Sequence, residues 1–240
     1  MSSEYQYNPW PHGDLRLDFR RPELEQIKEL GFDWLDPRDA IDLFEKEIAL
    51  YAGSKYAVAV DCNSHGIFLL LKYLKFEGRV LIPKHTYASI PMQVLHAGCQ
   101  IEFTEEKWHG EYRLLPTPII DSAGRFSEGM YRDSNLFQVL SFQIKKHLPI
   151  GRGGAILTND ESAYKWLKLA SYDGRNLKTA YDSEDHLIQL GWHYYMTPED
   201  AARGLLLLNK IENRNPKDLS WDRYPDLTTY TFFKEMLKNA

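Results

Sequence analysis

The 240-residue sequence is poor in cysteine, in long apolar runs and in positive charge, and each shortage excludes a class of protein. Its two cysteines, Cys62 and Cys99, are too few for a disulfide framework and indicate reduced thiols. The longest apolar run, around Gly66–Leu71, is far too short to cross a bilayer. The net charge of -5 disfavours nucleic acid, since phosphate backbones select basic surfaces. We therefore expect a soluble cytoplasmic protein with neither a membrane nor a nucleic-acid partner.

Several short motifs are also missing from the chain. There is neither a G-x-G-x-x-G nor a G-x-x-x-x-G-K-[ST] run, which lowers the expectation of a dinucleotide or P-loop site. The eight histidines include no H-x-x-x-H pair, so we predict no metal site. The first residues lack a basic region followed by an apolar stretch, which argues against a signal peptide.

What the sequence does contain is an alternation of short apolar strands and amphipathic helices. Hydrophobic residues make up 43% of the chain, enough for one sizeable core. The alternation is typical of an α/β protein, and we predict a doubly wound, mainly parallel sheet with helices on both faces. The predicted strands are Tyr56–Val60, Arg79–Pro83, Gln100–Phe103, Pro118–Asp121, Leu136–Phe142 and Gly154–Thr158. The predicted helices are Pro22–Leu30, one between Asp36 and Gly53, Ser64–Leu74, Tyr87–His96, Glu161–Tyr172, Pro198–Glu212 and Tyr230–Leu237.

Ligands bind at the carboxyl ends of the strands in an open α/β sheet, so the residues after each predicted strand are candidates. The first strand leads to Asn63, Ser64 and His65 at a helix N-terminus, which suits a phosphate, although Ser64 could be only an N-cap. Tyr87, after the second strand, could stack on a flat ligand or simply pack. Asp121 ends an apolar strand, where a carboxylate is costly unless paired, but it could also cap a turn.

The predicted strand at 136–142 has Ser141 near its carboxyl end and leads to the adjacent lysines Lys145 and Lys146, then to a glycine-rich run that ends at Gly154. A lysine pair is usually a solvated face, so this signal is weak by itself. The order of all these residues along the chain is the stronger observation.

That order resembles the DegT/DnrJ/EryC1/StrS aminotransferases, a branch of the fold-type-I pyridoxal-phosphate (PLP) enzymes. Their Ser-Phe-x-x-x-Lys-x-Leu-x-x-Gly-x-Gly-Gly motif is similar to residues 141–154 without a gap, and it matches Lys146 rather than Lys145 to the family's lysine. Residues 44–60 are similar to the family's entry helix and first strand. The resemblance covers roughly residues 40–214.

The resemblance implies that PLP is carried as a Schiff base on Lys146 and that Asp121 holds the proton of its pyridine nitrogen. Tyr87 would stack on the cofactor ring. The other implied cofactor-binding residues are Asn63, Ser64, His65 and Ser141 around the phosphate, and His193, which would reach the phosphate of the neighbouring subunit in a homodimer.

The sequence departs from the family pattern at several points. Gly124 stands where the family usually has Gln or His near the cofactor hydroxyl, and nearby Arg125 could replace that group. His193 stands where the family has Asn. Residues 104–118 are compressed, as if a strand–helix unit were missing. Only about 25 residues follow Asn215, so we expect the small C-terminal domain to be mostly absent.

We therefore divide the chain into an N-terminal arm and short helix (1–35), a PLP-binding α/β domain (36–215) and a short C-terminal remnant (216–240). The predicted function is that of a PLP-dependent aminotransferase that moves an amino group from glutamate or glutamine to a keto-sugar nucleotide, for amino-sugar or polysaccharide biosynthesis. One alternative is a degenerate PLP-binding homologue with little or no turnover, which Gly124, His193 and the short chain would favour. Another is a nucleotide-binding or other doubly wound protein.

Overall fold

In the computed structural model, which describes residues 22–133 and 135–238, a mixed sheet lies between two groups of helices. The predicted arm at 1–21 lies outside the described residues. The strands are β1 (Tyr56–Val60), β2 (Arg79–Pro83), β3 (Gln100–Thr104), β4 (Tyr112–Arg113), β5 (Ile119–Asp121), β6 (Phe137–Ser141) and β7 (Gly154–Thr158). The helices are α1 (Pro22–Glu29), α2 (Asp39–Ala52), α3 (Asn63–Tyr73), α4 (Ser89–His96), α5 (Glu161–Ala170), α6 (Pro198–Leu208) and α7 (Thr231–Lys238), with short 3-10 turns at Glu184–His186, Trp221–Arg223 and Leu227–Thr229.

The strand directions are mixed rather than mainly parallel. The larger sheet has the order β1-β7-β6-β5-β4, and only its β5–β6 pair is parallel. Strands β2 and β3 pair in parallel as a separate two-stranded sheet. Residues 142–153 join β6 to β7 without a helix, so the chain turns back and β7 runs antiparallel to both of its neighbours. The predicted α/β class is confirmed. The predicted mainly parallel sheet is corrected to a mixed one.

Alternation along β1 separates the two faces of the larger sheet. Val58 and Val60 face the core that α3, α4 and α5 cover, whereas Ala57 and Ala59 face the core that α1, α2 and α6 cover. This period of two is the reason that a strand of five residues can bury both of its faces. Helices on both faces are therefore confirmed.

The compressed region between β3 and β5 contains β4 and no helix, and all its residues belong to the described part of the chain. The segment after α6 packs against the domain, because Leu227 and Phe233 are buried in the core of the α3 face. Among the described helices, none combines the length and the apolar character needed to cross a membrane.

A buried carboxylate ties α2 to the sheet and to α5. Glu45 accepts hydrogen bonds from the backbone N–H of Ala59 (2.8 Å) and from Lys168 Nζ (2.7 Å), and Lys168 also pairs with Asp42 (2.8 Å). Burial raises the pKa of Glu45, and the Lys168 ammonium opposes that rise. The packing of α2 and α5 around β1 thus depends on Lys168 balancing a buried charge.

We expect Lys168→Met to lower the free energy of unfolding by about 3 kcal/mol near pH 7, because Glu45 then lacks its counter-ion. Without Lys168 the pKa of Glu45 rises further, and a carboxyl group with a higher pKa in the folded than in the unfolded state favours folding as it takes up a proton. Urea unfolding should therefore show a smaller deficit near pH 5 than near pH 7.

The matched control is Lys165→Met on the same helix, which removes an exposed pair with Glu161. It should lower the free energy of unfolding far less than Lys168→Met does at either pH, because solvent screens an exposed pair. Equal losses in the two variants would contradict the role given to Lys168.

Candidate active site

The loop between β6 and β7 carries two adjacent lysines in different environments. Lys145 is exposed, whereas Lys146 is half-buried and its Nζ donates a hydrogen bond to the Tyr224 hydroxyl (3.3 Å). Burial lowers the pKa of the Lys146 ammonium, while the charge of Asp121 and the Tyr87 phenol work in the opposite direction. Lys146 is thus the lysine whose amine is more readily neutral and that lies near a carboxylate.

The glycines after Lys146 allow close approach of backbone segments. Phe142 N donates to Gly153 O (2.9 Å), and Gly151 N donates to Phe142 O (3.1 Å), which closes the loop on itself. A Cβ on Gly154 would lie 2.6 Å from the backbone nitrogen of Asn63, so only glycine lets β7 pass this close to the start of α3. The glycine-rich run therefore brings the lysine loop beside the predicted phosphate site.

The Asp121 carboxylate is buried and both of its oxygens are engaged. Oδ1 accepts from Asn63 Nδ2 (3.1 Å) and from the Ala123 N–H (3.0 Å), and Oδ2 accepts from the Tyr112 hydroxyl (2.7 Å). The Tyr112 hydroxyl is also 2.6 Å from Thr86 Oγ1. Burial raises the pKa of Asp121, and these donors oppose the rise. The carboxylate is therefore held in one orientation.

Two of these contacts change what the sequence predicted. The side chain of Asn63, predicted at the phosphate, binds Asp121 and the Val139 carbonyl (2.8 Å) instead. Tyr112 was not predicted as a site residue. Tyr112 lies in strand β4 and pairs with Asp121 of β5. Strand β4 has only two residues, which is too short to show the alternation of apolar and polar residues that marks a strand in a sequence.

Helix α3 begins at the predicted phosphate loop. Its N-cap residue, Cys62, makes no side-chain capping bond, so this helix end is not closed by its own cap. Ser64 Oγ lies 2.5 Å from the hydroxyl of Ser89, at the start of α4. His65 stacks on Tyr194 at 3.7 Å between ring centroids. Two hydroxyls and a helix N-terminus are therefore available to one anion.

Two cations lie beside this helix end. Partial burial alone would lower the pKa of His65, but its hydrogen bond to Asp61 (2.6 Å) and the neighbouring Cys62 raise that pKa to about 9. Arg152 pairs with the other oxygen of Asp61 (2.8 Å). Asp61, Cys62 and His65 also bring three possible metal-ligand atoms within 4.8 Å, although Asp61 is already paired twice. At neutral pH the charges favour a phosphate group here.

The remaining predicted site residues are Tyr87, Ser141 and His193, and they differ in exposure and contacts. Tyr87, 65% exposed, lies just before α4 and close enough to influence Lys146. Ser141 is half-buried at the end of β6, opposite Gly154. His193 is 66% exposed and its Nδ1 lies 2.9 Å from Asp173 Oδ2. Its reach to a partner's phosphate stays a prediction.

Comparison with known proteins identifies the family. A model of the DegT/DnrJ/EryC1/StrS aminotransferase family matches residues 20–107 and 130–227. The chain belongs to this family. The resemblance seen in the sequence is thus confirmed, together with PLP as the cofactor expected of a DegT-family protein.

The relatives of this DegT-family chain include named sugar transaminases. The UDP-4-amino-4,6-dideoxy-N-acetyl-beta-L-altrosamine transaminase of Campylobacter jejuni is 21% identical over 83% of this chain. The chain spans only 62% of the length of that relative. The spore coat polysaccharide biosynthesis protein SpsC of Bacillus subtilis is 32% identical over 35% of this chain and 23% of its own length.

Solved structures of aminotransferases share the fold. Helicobacter pylori PseC, an aminotransferase involved in pseudoaminic acid biosynthesis, has a TM-score of 0.67 at 15% identity and covers 97% of this chain and 89% of its own. The sugar aminotransferase CalS13 from Micromonospora echinospora has a TM-score of 0.61 at 16% identity, with coverage of 79% and 64%. At these identities the likeness shows the fold.

The residues present in this DegT-family chain fit PLP chemically. A half-buried amine with a lowered pKa suits the aldehyde, and a buried carboxylate suits the pyridine nitrogen. A helix N-terminus flanked by His65 and Arg152 suits the phosphate. Gly154 permits the lysine loop to approach the start of α3, and Asn63 at that start binds the Asp121 carboxylate, whose charge acts on Lys146.

One departure from the DegT-family pattern has a steric cause. A Cβ on Gly124 would lie 2.8 Å from the carbonyl oxygen of Gly110, so the backbone leaves no room for Gln or His there. Arg125 does not replace that group, because its guanidinium pairs with Glu111 (2.6 Å) and Asp218 (2.7 Å). The suggestion that Arg125 could serve the cofactor hydroxyl is therefore wrong.

Proposed function

We propose that this chain is a PLP-dependent aminotransferase that carries its cofactor as a Schiff base on Lys146. The observation that carries the proposal is the half-buried Lys146 amine, which lies under the influence of the buried Asp121 carboxylate. That carboxylate in turn accepts a hydrogen bond from Asn63 at the start of α3. We also propose residues 36–215 as the cofactor-binding domain, and a cytoplasmic location stays a prediction.

Each residue would have a distinct role. When bound, PLP supplies an electron sink for the bonds at the substrate carbon that bears nitrogen. Lys146 would hold the cofactor and then, as a free amine, move a proton at the substrate carbon. Asp121, fixed by Asn63 and Tyr112, would keep a proton on the pyridine nitrogen. Ser64 and Ser141 would donate hydroxyl hydrogen bonds to the phosphate.

We propose a keto-sugar nucleotide as amino acceptor and glutamate or glutamine as donor, in amino-sugar or polysaccharide biosynthesis. The names of similar proteins support this choice. One relative is a transaminase of a UDP-linked amino sugar, and DesI, another solved structure that shares the fold, was determined in the presence of its TDP-sugar product. A PLP-binding protein with little turnover is the second candidate. This second candidate is favoured by Gly124, where the backbone leaves no room for a side chain, and by Arg125, whose guanidinium pairs with Glu111.

The link between Lys146 and the cofactor can be tested by trapping it. Purified protein should bind PLP, and borohydride should fix a pyridoxyl group on Lys146, located by peptide mass spectrometry. Lys146→Ala should abolish the adduct, whereas Lys145→Ala should keep it because Lys145 is exposed. An adduct on Lys145, or none, would refute the assignment.

Half-reactions distinguish turnover from cofactor binding. Glutamate should convert the bound cofactor to its amino form, and a keto-sugar nucleotide should convert it back, both followed by absorbance. Asp121→Asn should retain PLP but slow both steps by about 100-fold or more, because a neutral pyridine is a poor electron sink. If the wild type binds PLP yet neither step occurs, the second candidate is correct.

We further propose a homodimer, with the partner seated near the exposed apolar side chains of segment 173–191. These side chains are Tyr181 (66% exposed), Leu187 (64%), Ile188 (51%) and Leu190 (76%). Such a group of large apolar side chains on one segment is typical of an interface. The exposed His193 lies directly after it, which suits a residue that crosses to a partner.

The test of the homodimer is light scattering with PLP bound. The wild type should have twice the mass of the 28.0 kDa chain, and Leu190→Glu should shift it toward the monomer, since a charge in an apolar interface is costly. The control is Leu35→Glu, at a side chain 97% exposed outside this segment, which should remain dimeric. A monomeric wild type, or a dimeric Leu190→Glu, would end the proposal.

A further inference from the structure

The segment at 219–230 is anchored at the carboxyl end of β2. The Leu227 N–H donates to the carbonyl of Lys84 (2.9 Å), and Lys84 Nζ pairs with Asp226 (3.1 Å). His85 Nδ1 lies 2.9 Å from the backbone carbonyl oxygen of Tyr224. Main-chain and side-chain bonds therefore hold this segment at the edge where the strands deliver the site residues.

The buried Trp108 fixes the same segment from the other side. Its indole N–H donates to the His85 carbonyl (2.8 Å), and its own carbonyl accepts from the Trp221 N–H (3.2 Å). Its ring contacts the Tyr224 ring, with 5.5 Å between centroids. Tyr224 is thus held through its backbone carbonyl, which contacts His85, and through its ring, which contacts Trp108. Its side chain therefore has little freedom to move.

The Tyr224 hydroxyl contacts Lys146. Lys146 Nζ donates to the Tyr224 hydroxyl at 3.3 Å, across 78 residues of sequence. Burial and the charge of Asp121 raise the pKa of Tyr224, so its hydroxyl stays neutral and can accept this bond. We propose that Tyr224 is a positioning residue, whose hydroxyl holds the Lys146 amine at the site, and that segment 219–230 is a wall of that site.

This inference rests on the proposed function for its meaning in catalysis, since a Lys146 nitrogen held at a fixed point is positioned for the aldehyde of the cofactor. The contact between Lys146 and Tyr224 involves only protein atoms, so it can be tested without the cofactor. The probe is reductive methylation of cofactor-free protein over a pH series, with the modification of Lys146 quantified by peptide mass spectrometry. Lys145 serves as an internal reference in every sample.

Tyr224→Phe keeps the ring and its contact with Trp108 but removes the acceptor of the Lys146 hydrogen bond. A hydrogen bond to the charged form favours that form, so its loss should move the midpoint of Lys146 methylation down by about half to one pH unit. The Lys145 profile should not move. The control is Tyr230→Phe, an exposed tyrosine on the same segment, which should leave both profiles unchanged.

A second variant tests the wall without touching the phenol. Asp226→Asn removes the charge that pairs with Lys84, while its side-chain oxygen can still cap Thr228. Loosening the segment should expose Lys146 and speed its methylation several-fold at a fixed pH. This readout remains informative if Tyr224→Phe folds poorly, as judged by thermal unfolding.

An unchanged Lys146 midpoint in folded Tyr224→Phe, or an equal movement in Tyr230→Phe, would overturn the positioning role. An unchanged rate in Asp226→Asn would overturn the wall. Failure of PLP to attach to Lys146 would refute the proposed function and leave these results readable, because no step of this test uses the cofactor.

Discussion

Burying the Asp121 carboxylate is costly unless donors surround it, and much of the centre of this protein meets that requirement. Asn63 from the start of α3, Tyr112 from β4 and the Ala123 N–H each give it a hydrogen bond. These donors come from three separate parts of the chain, so the carboxylate fixes how α3 and β4 sit on β5. A carboxylate held this way keeps one orientation, which a site that must hold a proton at a fixed point requires.

The antiparallel course of β7 is the second constraint on the site. Because β6 and β7 are neighbours joined by a short loop, the loop must turn at the edge of the sheet where β1 delivers the start of α3. Gly154 lets the backbones approach closely at that point, and the Lys146 amine on the same loop lies under the influence of the Asp121 charge. The same strand reversal that departs from a parallel sheet is what brings amine, carboxylate and helix end together.

The region near Gly124 shows how a shortened connection alters a site. With only β4 between β3 and β5, the backbone of Gly110 packs against Gly124 and excludes a side chain there. In the aromatic stretch at 191–195, Trp192 and Tyr194 both contact Phe68 in the core of the α3 face, whereas His193 stays exposed.

The sequence by itself determined most of the elements, because periodicity and glycine or proline signals are local. The bounds of β1, β2 and β7 coincide with those predicted, and the match to the family's lysine motif predicts Lys146 rather than Lys145 as the cofactor lysine. The tertiary structure alone decided the strand directions and the partners of the site residues. Tyr112 reaches Asp121 across 9 residues and Tyr224 reaches Lys146 across 78, and neither lies in a pattern that repeats along the chain. Such contacts depend on sheet order and on the path of the loops, which no local signal specifies.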